Sequence, residues 1–226
     1  MSRLDELRDF AYYFHFTLNP YGVDIEKNVP NLPERIKTFQ DLSNQIGANR
    51  VIWRYDPILL GKGIDIAWHI AQFENLCKQL RGYTETCNTS FLIGKHRDYY
   101  APNNAGQHEI MREFSRIARE NGIQLCACAQ KQNWSQYNVA PSRCTDPDLF
   151  MKLNGAVRVK TKRLDGQRKH CNCMPCVDIG TYNTCKHGCI YCYANGFYAY
   201  RGEPTSMLDK LNGEIYDRKT DRLFDY

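Results

Sequence analysis

No stretch of the 226-residue chain comes near the roughly 18 consecutive apolar residues that a membrane-crossing helix needs, so a helical span is excluded. The opening residues, MSRLDELRDF, lack the apolar core of a secretory signal, and the expected compartment is the cytoplasm. A large charge of one sign is missing as well. The formal net charge of +5 is compatible with nucleic acid or anionic metabolites and argues for neither. The chain is also short of the about 250 residues that a complete eight-unit β/α barrel takes. Cysteine, by contrast, is plentiful: there are 11. Without a secretory leader that number reads as metal ligands in a reducing compartment, not as disulfides. The sequons at Asn88 and Asn133 then carry no weight. A hydrophobic content of 42% suffices for a packed core.

The first nine residues read as the end of a polar helix. Residues 11–18 form an aromatic, β-branched run of strand length, closed by Asn19-Pro20-Tyr21-Gly22. A helix is expected over 32–46, with Pro33 at its start and Gly47 as its stop. A second strand over 50–55 ends at Asp56-Pro57. Ile66, Ile70, Phe73, Cys77 and Leu80 repeat at helical spacing within 64–80, and Gly82 closes that helix. A third strand over 83–93, a helix over 107–121 stopped by Gly122, a fourth strand over 123–128 and a short helix over 146–153 complete the series. Such strand–helix alternation argues for a parallel sheet, open or curled toward a barrel. The expected fold is α/β: a partial parallel (β/α) barrel-like sheet with a C-terminal cysteine-rich iron–sulfur module. The boundaries are a barrel domain over 1–157, a cluster-binding module over 158–202 and a peripheral tail over 203–226.

The module contains Cys185-Lys-His-Gly-Cys189-Ile-Tyr191-Cys192, followed by Tyr193-Ala-Asn195-Gly196. Three thiolates on one short C-x3-C-x2-C loop can hold three irons of a [4Fe–4S] cubane and leave the fourth open. The competing reading is a zinc knuckle with a fourth ligand from elsewhere. An aromatic residue just before the last cysteine completes the pattern of the radical S-adenosylmethionine enzymes, which this stretch closely resembles. The resemblance implies that Cys185, Cys189 and Cys192 ligate the cluster and that Tyr191 and Asn195 serve cofactor binding. It also implies S-adenosylmethionine at the open iron and an electron donor such as a flavodoxin or ferredoxin.

A wider resemblance takes in Phe14-His-Phe16-Thr17-Leu-Asn-Pro20-Tyr21-Gly22, Ile52-Trp53-Arg54-Tyr55-Asp56-Pro57-Ile58, Cys171-Asn-Cys173, Asp178-Ile179-Gly180, and Tyr182-Asn183-Thr-Cys185 through Asn195. With these the chain is similar to uncharacterised bacterial proteins of a domain-of-unknown-function family whose C-terminal cysteine cluster is radical-S-adenosylmethionine-like. Members open with a Ser-Arg-Arg-Thr-Asp-like strand that this chain does not have, so it is expected to be N-terminally truncated. Ordinary radical enzymes place the cluster loop after the first barrel strand, whereas here the strand–helix units precede it. Arg201-Gly202-Glu203 only faintly matches their glycine-rich contact. The arrangement is either a permutation that rebuilds the same site or a cluster that never meets S-adenosylmethionine.

Arg54 and Asp56 stand at the C-terminal end of a parallel strand, where such folds place ligand-binding side chains. They are the candidate catalytic pair, against the plainer reading of an ion pair closing the sheet. Thr17 and Asn19 hold the equivalent place on the first strand and read as turn chemistry. Lys95, His96 and Arg97 read as a solvated charge run, and Cys77 and Cys87 as small core residues. His187 tunes the cluster or is simply exposed. The family pattern also has cysteine at Cys128, Cys144, Cys171 and Cys173, which makes them candidate ligands of a second iron–sulfur cluster or a zinc ion, with Cys176 to spare. The plainer alternative makes Cys126 and Cys128 merely buried strand residues. The basic residues Arg158, Lys160, Lys162, Arg163, Arg168 and Lys169 leave nucleic-acid binding open, although no aromatics interleave them. The substrate is not readable. The alternative to an enzyme is a non-catalytic iron–sulfur or zinc protein in electron transfer or nucleic-acid binding.

Overall fold

A computed structural model describes residues 4–7, 10–94, 96–154, 170–174, 184–192 and 194. Five parallel strands pair in their order along the chain: β1 (Phe14–Thr17), β2 (Val51–Ile58), β3 (Thr86–Phe91), β4 (Gln124–Ala127) and β5 (Ala140–Pro141). Helices α1 (Leu32–Ile46), α2 (Ile66–Leu80) and α3 (Asn104–Glu120) connect the first four, and α4 (Pro147–Asn154) follows β5. Right-handed crossovers in strictly sequential order put every connecting helix on one face, which is the winding of a β/α barrel and not of a doubly wound sheet. No helix among the described residues is long and apolar enough to cross a membrane.

The helices begin where side chains can take up their free amides. Asn31 accepts from Glu34, Asp65 from Trp68 and Asn103 from Gly106. Gly47 ends α1 at a φ of 95°, a left-handed backbone that suits a residue without a Cβ, and its N–H reaches Ser43 O at 2.8 Å. The expected helices are present, with α3 starting three residues early at its Asn103 cap. Strand β2 differs more from expectation: it runs on through Asp56 and Pro57 to Ile58. Its ladder with β3 skips between Tyr55 and Ile58, an irregularity that accommodates the proline, which has no N–H to give. Two-residue β5, a single Ala-Pro pair, has no periodic signal and was not anticipated.

Register sorts the side chains by face. Phe16, Trp53, Cys87 and Leu125 stand abreast across β1 to β4, and all but Phe16 are fully buried or nearly so beneath the helices. Phe73 of α2 and Phe114 of α3 stack at 3.8 Å between centroids, and Tyr55 meets both edge-on. Cys77 and Cys87 belong to this core. The next row, Thr17, Arg54, Asn88 and Cys126, points to the opposite face. Parallel sheets are ordinarily apolar on both faces; this one is apolar only toward its helices.

The sheet curls. Cys144, three residues beyond β5, offers its carbonyl to the Tyr13 hydroxyl and the His15 ring at 2.8 Å each, across the whole sheet from the opposite edge. The polar row therefore faces the inside of a half-closed barrel. At the C-terminal mouth a smaller cluster of Tyr21, Ile25, Leu59, Leu92 and Tyr99 seals the loops.

Candidate functional site

Arg54 and Asp56 project from β2 onto the inner face as a mutual ion pair, and Ser90 of β3 donates its hydroxyl to the other Asp56 oxygen. Burial works against the Arg54 charge, but Asp56 outweighs it and raises the guanidinium further above its ordinary value. Beside them, His15 Nε2 donates to the Cys144 carbonyl, which leaves Nδ1 buried without a hydrogen-bond partner. Burial lowers the His15 pKa, which favours the neutral ring.

At the mouth, the loop carrying Cys185, Cys189 and Cys192 packs on the loop that follows β1. Cys189 bridges Glu26, Ile190 N–H donates to Ile25 O at 3.0 Å, and Asn28 binds the carbonyls of His187 and Lys186 at 2.9 and 2.8 Å. Beneath lies a buried polar knot. Asn19 donates to Glu26 at 3.1 Å, to the Asp56 carbonyl at 3.0 Å and to the Tyr191 hydroxyl at 3.2 Å, and accepts from Asp56 N–H at 2.9 Å. Tyr191 donates to Glu26, whose second oxygen takes the Arg35 guanidinium at 2.9 Å. Burial, then the Glu26 charge, holds the Tyr191 phenol well above its ordinary pKa, so it remains a donor. Burial and the Glu26 charge also push the Cys189 thiol up. A cleft of about 390 Å³ opens between this loop and α1, lined by Thr17, Glu34, Thr38, His187, Cys189 and Cys192 among others, but not by Arg54 or Asp56. A second hollow, about 270 Å³ at Glu85, Arg119 and Gln124, contains no cysteine.

The second cysteine group lies on the inner face. The sulfurs of Cys128, just past β4, and Cys144 are 3.8 Å apart. Cys144 N–H reaches the Cys173 sulfur at 3.0 Å, and the thiols of Cys144 and Cys171 both hydrogen-bond Cys173. Donation from Cys144 holds the Cys173 thiol below its ordinary value, while its bonds to Cys128 and Cys173 push Cys144 up. The segment is tied in by Met174 N–H on Thr145 O at 3.0 Å and Thr145 Oγ1 on Met174 O at 2.8 Å. None of the ten described cysteines is in a disulfide. Among the described residues, no three His, Cys, Asp or Glu are already drawn to the radius of a bound ion. By donor type alone, both cysteine groups offer sulfur, a ligand that iron and zinc each take.

The structure thus brings Arg54 together with Asp56, Tyr191 together with the β1 loop, and Cys128, Cys144, Cys171 and Cys173 together with each other. His96 is half-buried, Arg97 and His187 are exposed. Asn195, Cys176, Lys95, Asp178-Ile179-Gly180, Tyr182-Asn183, Arg201-Gly202-Glu203, the basic ribbon over 158–169 and the tail over 203–226 lie outside the described residues, as does most of the boundary between the proposed domains. Sequence reading missed Glu26, Arg35, His15 and Ser90, and took Asn19 for a turn residue. The one available signal was the proximity of Glu26 and Arg35 to the Asn19-Pro20 turn, and it is weak, since both look like ordinary surface charges.

A family model described as "Domain of unknown function (DUF1848)" matches residues 1–194. No curated protein and no solved structure matches the chain.

Proposed function

This chain belongs to the DUF1848 family, and we propose that it is an iron–sulfur protein of radical-S-adenosylmethionine type, acting on a substrate held at the mouth of its half-barrel. The observation that carries this reading is the docking of the Cys185–Cys192 loop on the loop after β1, through Tyr191, Asn19 and Glu26. Chain order puts the cysteines last. Folding returns them to the end of the first described strand, the place where radical enzymes carry their cluster loop. A [4Fe–4S] cluster held by Cys185, Cys189 and Cys192 would supply there the one-electron reduction that cleaves S-adenosylmethionine.

The chain's own residues would then divide the work. Cys185, Cys189 and Cys192 hold the irons. Asn19 ties their loop, through Tyr191, to the Asp56 backbone at the end of β2. Arg54, Asp56, Ser90 and neutral His15 supply a polar inner face for a substrate, with His15 Nδ1 able to accept a proton or a hydrogen bond. The exposure of Cys185 favours one competing reading, a cluster that passes electrons to a partner and never meets S-adenosylmethionine.

Anaerobic reconstitution with iron and sulfide, dithionite reduction and chromatography for 5′-deoxyadenosine separate the two. The proposal expects 5′-deoxyadenosine from the unaltered chain and none from the Cys185→Ala, Cys189→Ala, Cys192→Ala triple variant. A reducible cluster that yields none in either protein leaves electron transfer standing. Stoichiometric zinc without iron or sulfide would overturn both.

A further inference from the structure

We infer that Cys128, Cys144, Cys171 and Cys173 hold one tetrahedral zinc ion, a site separate from the cluster proposed at 185–192 and independent of it. Sulfur spacing carries the inference. Zinc at about 2.3 Å from four thiolates sets each pair of sulfurs about 3.8 Å apart along the edges of the tetrahedron. The Cys128 and Cys144 sulfurs stand at 3.8 Å. A four-iron cubane places a whole cluster between its cysteine sulfurs and holds them well beyond van der Waals contact, so this pair is too close for neighbouring corners of one.

The remaining ligands come from the C-x-C pair Cys171 and Cys173. Cys173 is bonded to the Cys144 thiol and Cys171 to Cys173, so the four run as a chain from 128 through 144 and 173 to 171. Among the described residues no three of these sulfurs yet surround a common point, so the ion would have to draw the chain of thiols closed around it. The setting answers the charge such a site carries. Four thiolates on a divalent ion leave a net charge of −2, which needs donors and a cation nearby. Cys144 N–H already points at the Cys173 sulfur, and the Arg54 guanidinium lies within electrostatic reach of Cys128 and Cys144.

The consequence is mechanical. The ion would join the end of β4, the turn between β5 and α4 and the 170–174 segment into one unit, adding to the two Thr145–Met174 hydrogen bonds that already cross it. Zinc has no redox chemistry of its own, so this joint would stay unchanged whatever the oxidation state of the other site.

The experiment counts zinc and iron in the full chain purified anaerobically. The inference expects about one zinc per chain that persists in the Cys185→Ala, Cys189→Ala, Cys192→Ala triple variant and falls at least fivefold in Cys128→Ala with Cys144→Ala. Loss of iron in the triple variant reports on the cluster alone, so either reading can fail without the other. Should the double variant not fold, cobalt loaded into the triple variant decides: four thiolates give intense tetrahedral d–d bands with sulfur-to-cobalt charge transfer, whereas a weak octahedral spectrum overturns the site. About eight irons per chain with no zinc would overturn it as well, in favour of two cubanes.

Discussion

His69 is fully buried with both ring nitrogens engaged. Nε2 meets the Leu59 carbonyl at 2.8 Å, which can only accept, so Nε2 is the donor and Nδ1 accepts from the Tyr55 hydroxyl at 2.8 Å. Burial lowers its pKa from 6.5 to about 4. The depressed value belongs to the folded state, so its stabilisation is complete above the unfolded pKa and is lost as pH falls from about 6.5 to about 4, by about 3 kcal/mol. Urea titrations at stepped pH should show that loss, and His69→Gln should flatten it while lowering stability at pH 7. An unchanged slope in the variant would mean that other groups govern the acid limb. The Glu26–Arg35 pair makes the complementary case. Removing one member of a buried pair leaves the other unpaired at a cost of about 3–5 kcal/mol. Glu26→Ala also removes the acceptor of the Tyr191 hydroxyl and one of the acceptors of Asn19. It should therefore both destabilise the fold and raise hydrogen exchange at Ile190, whereas Lys37→Ala, an exposed partner of Asp41, should do neither.

At the scale of elements, the sheet is held to its helices by an aromatic interlock. Phe73 and Phe114 stack with only 4° between their planes while Tyr55 and Trp53 pack around them. Phe114→Ala opens a ring-sized hole between α2 and α3 and should cost about 3–5 kcal/mol, read by denaturant titration. Phe114→Leu, which keeps most of the volume, should cost less than half of that. The helix caps are smaller levers: Asp65→Ala removes the acceptor for Trp68 N–H, 2.7 Å away, and should cost about 1 kcal/mol. These elements were legible before folding was considered. Ile66 to Leu80 repeats at helical spacing, and Pro33 and Gly47 bracket α1, whereas the caps Asn31, Asp65 and Asn103 emerge only in the structure. The misplaced ends have local causes. Pro57 read as a stop because it breaks a ladder, yet the β2–β3 register skips there and lets the strand continue.

At the scale of the molecule, two cysteine groups join C-terminal segments to the half-barrel at different places, one at the β1 loop and one across the inner face. If both groups bind the metals proposed for them, metal removal should loosen those segments before the sheet. Limited proteolysis after treatment with a chelator that strips both iron and zinc is expected to cut within 155–192 while a fragment containing residues 10–154 persists. Cleavage spread evenly through the sheet would show that the metals hold the whole fold together. The core argues for the first outcome, since the buried residues of the large cluster run from Leu18 to Val139 and include no cysteine of either group.

Composition and spacing alone determined that this is an α/β chain with sequential strand–helix units, and they picked out the three-cysteine loop over 185–192 as a candidate ligand set. Those are properties of neighbours along the chain: hydrophobic period, helix start and stop signals, and ligand spacing within one short loop. Which of the two faces of the sheet stays polar was decided only by register, because alternation in a strand assigns side chains to faces without saying which face the helices cover. The meeting of Cys128 with Cys144 and of Cys144 with Cys173 depends on the curl that carries the turn after β5 back to Tyr13 and His15. So does the identity of the buried charges. Glu26 and Arg35 are nine residues apart and look like surface residues until the cysteine loop, more than 150 positions further on, covers them. Contacts at that separation arise from how the chain winds in three dimensions, a quantity no local pattern encodes.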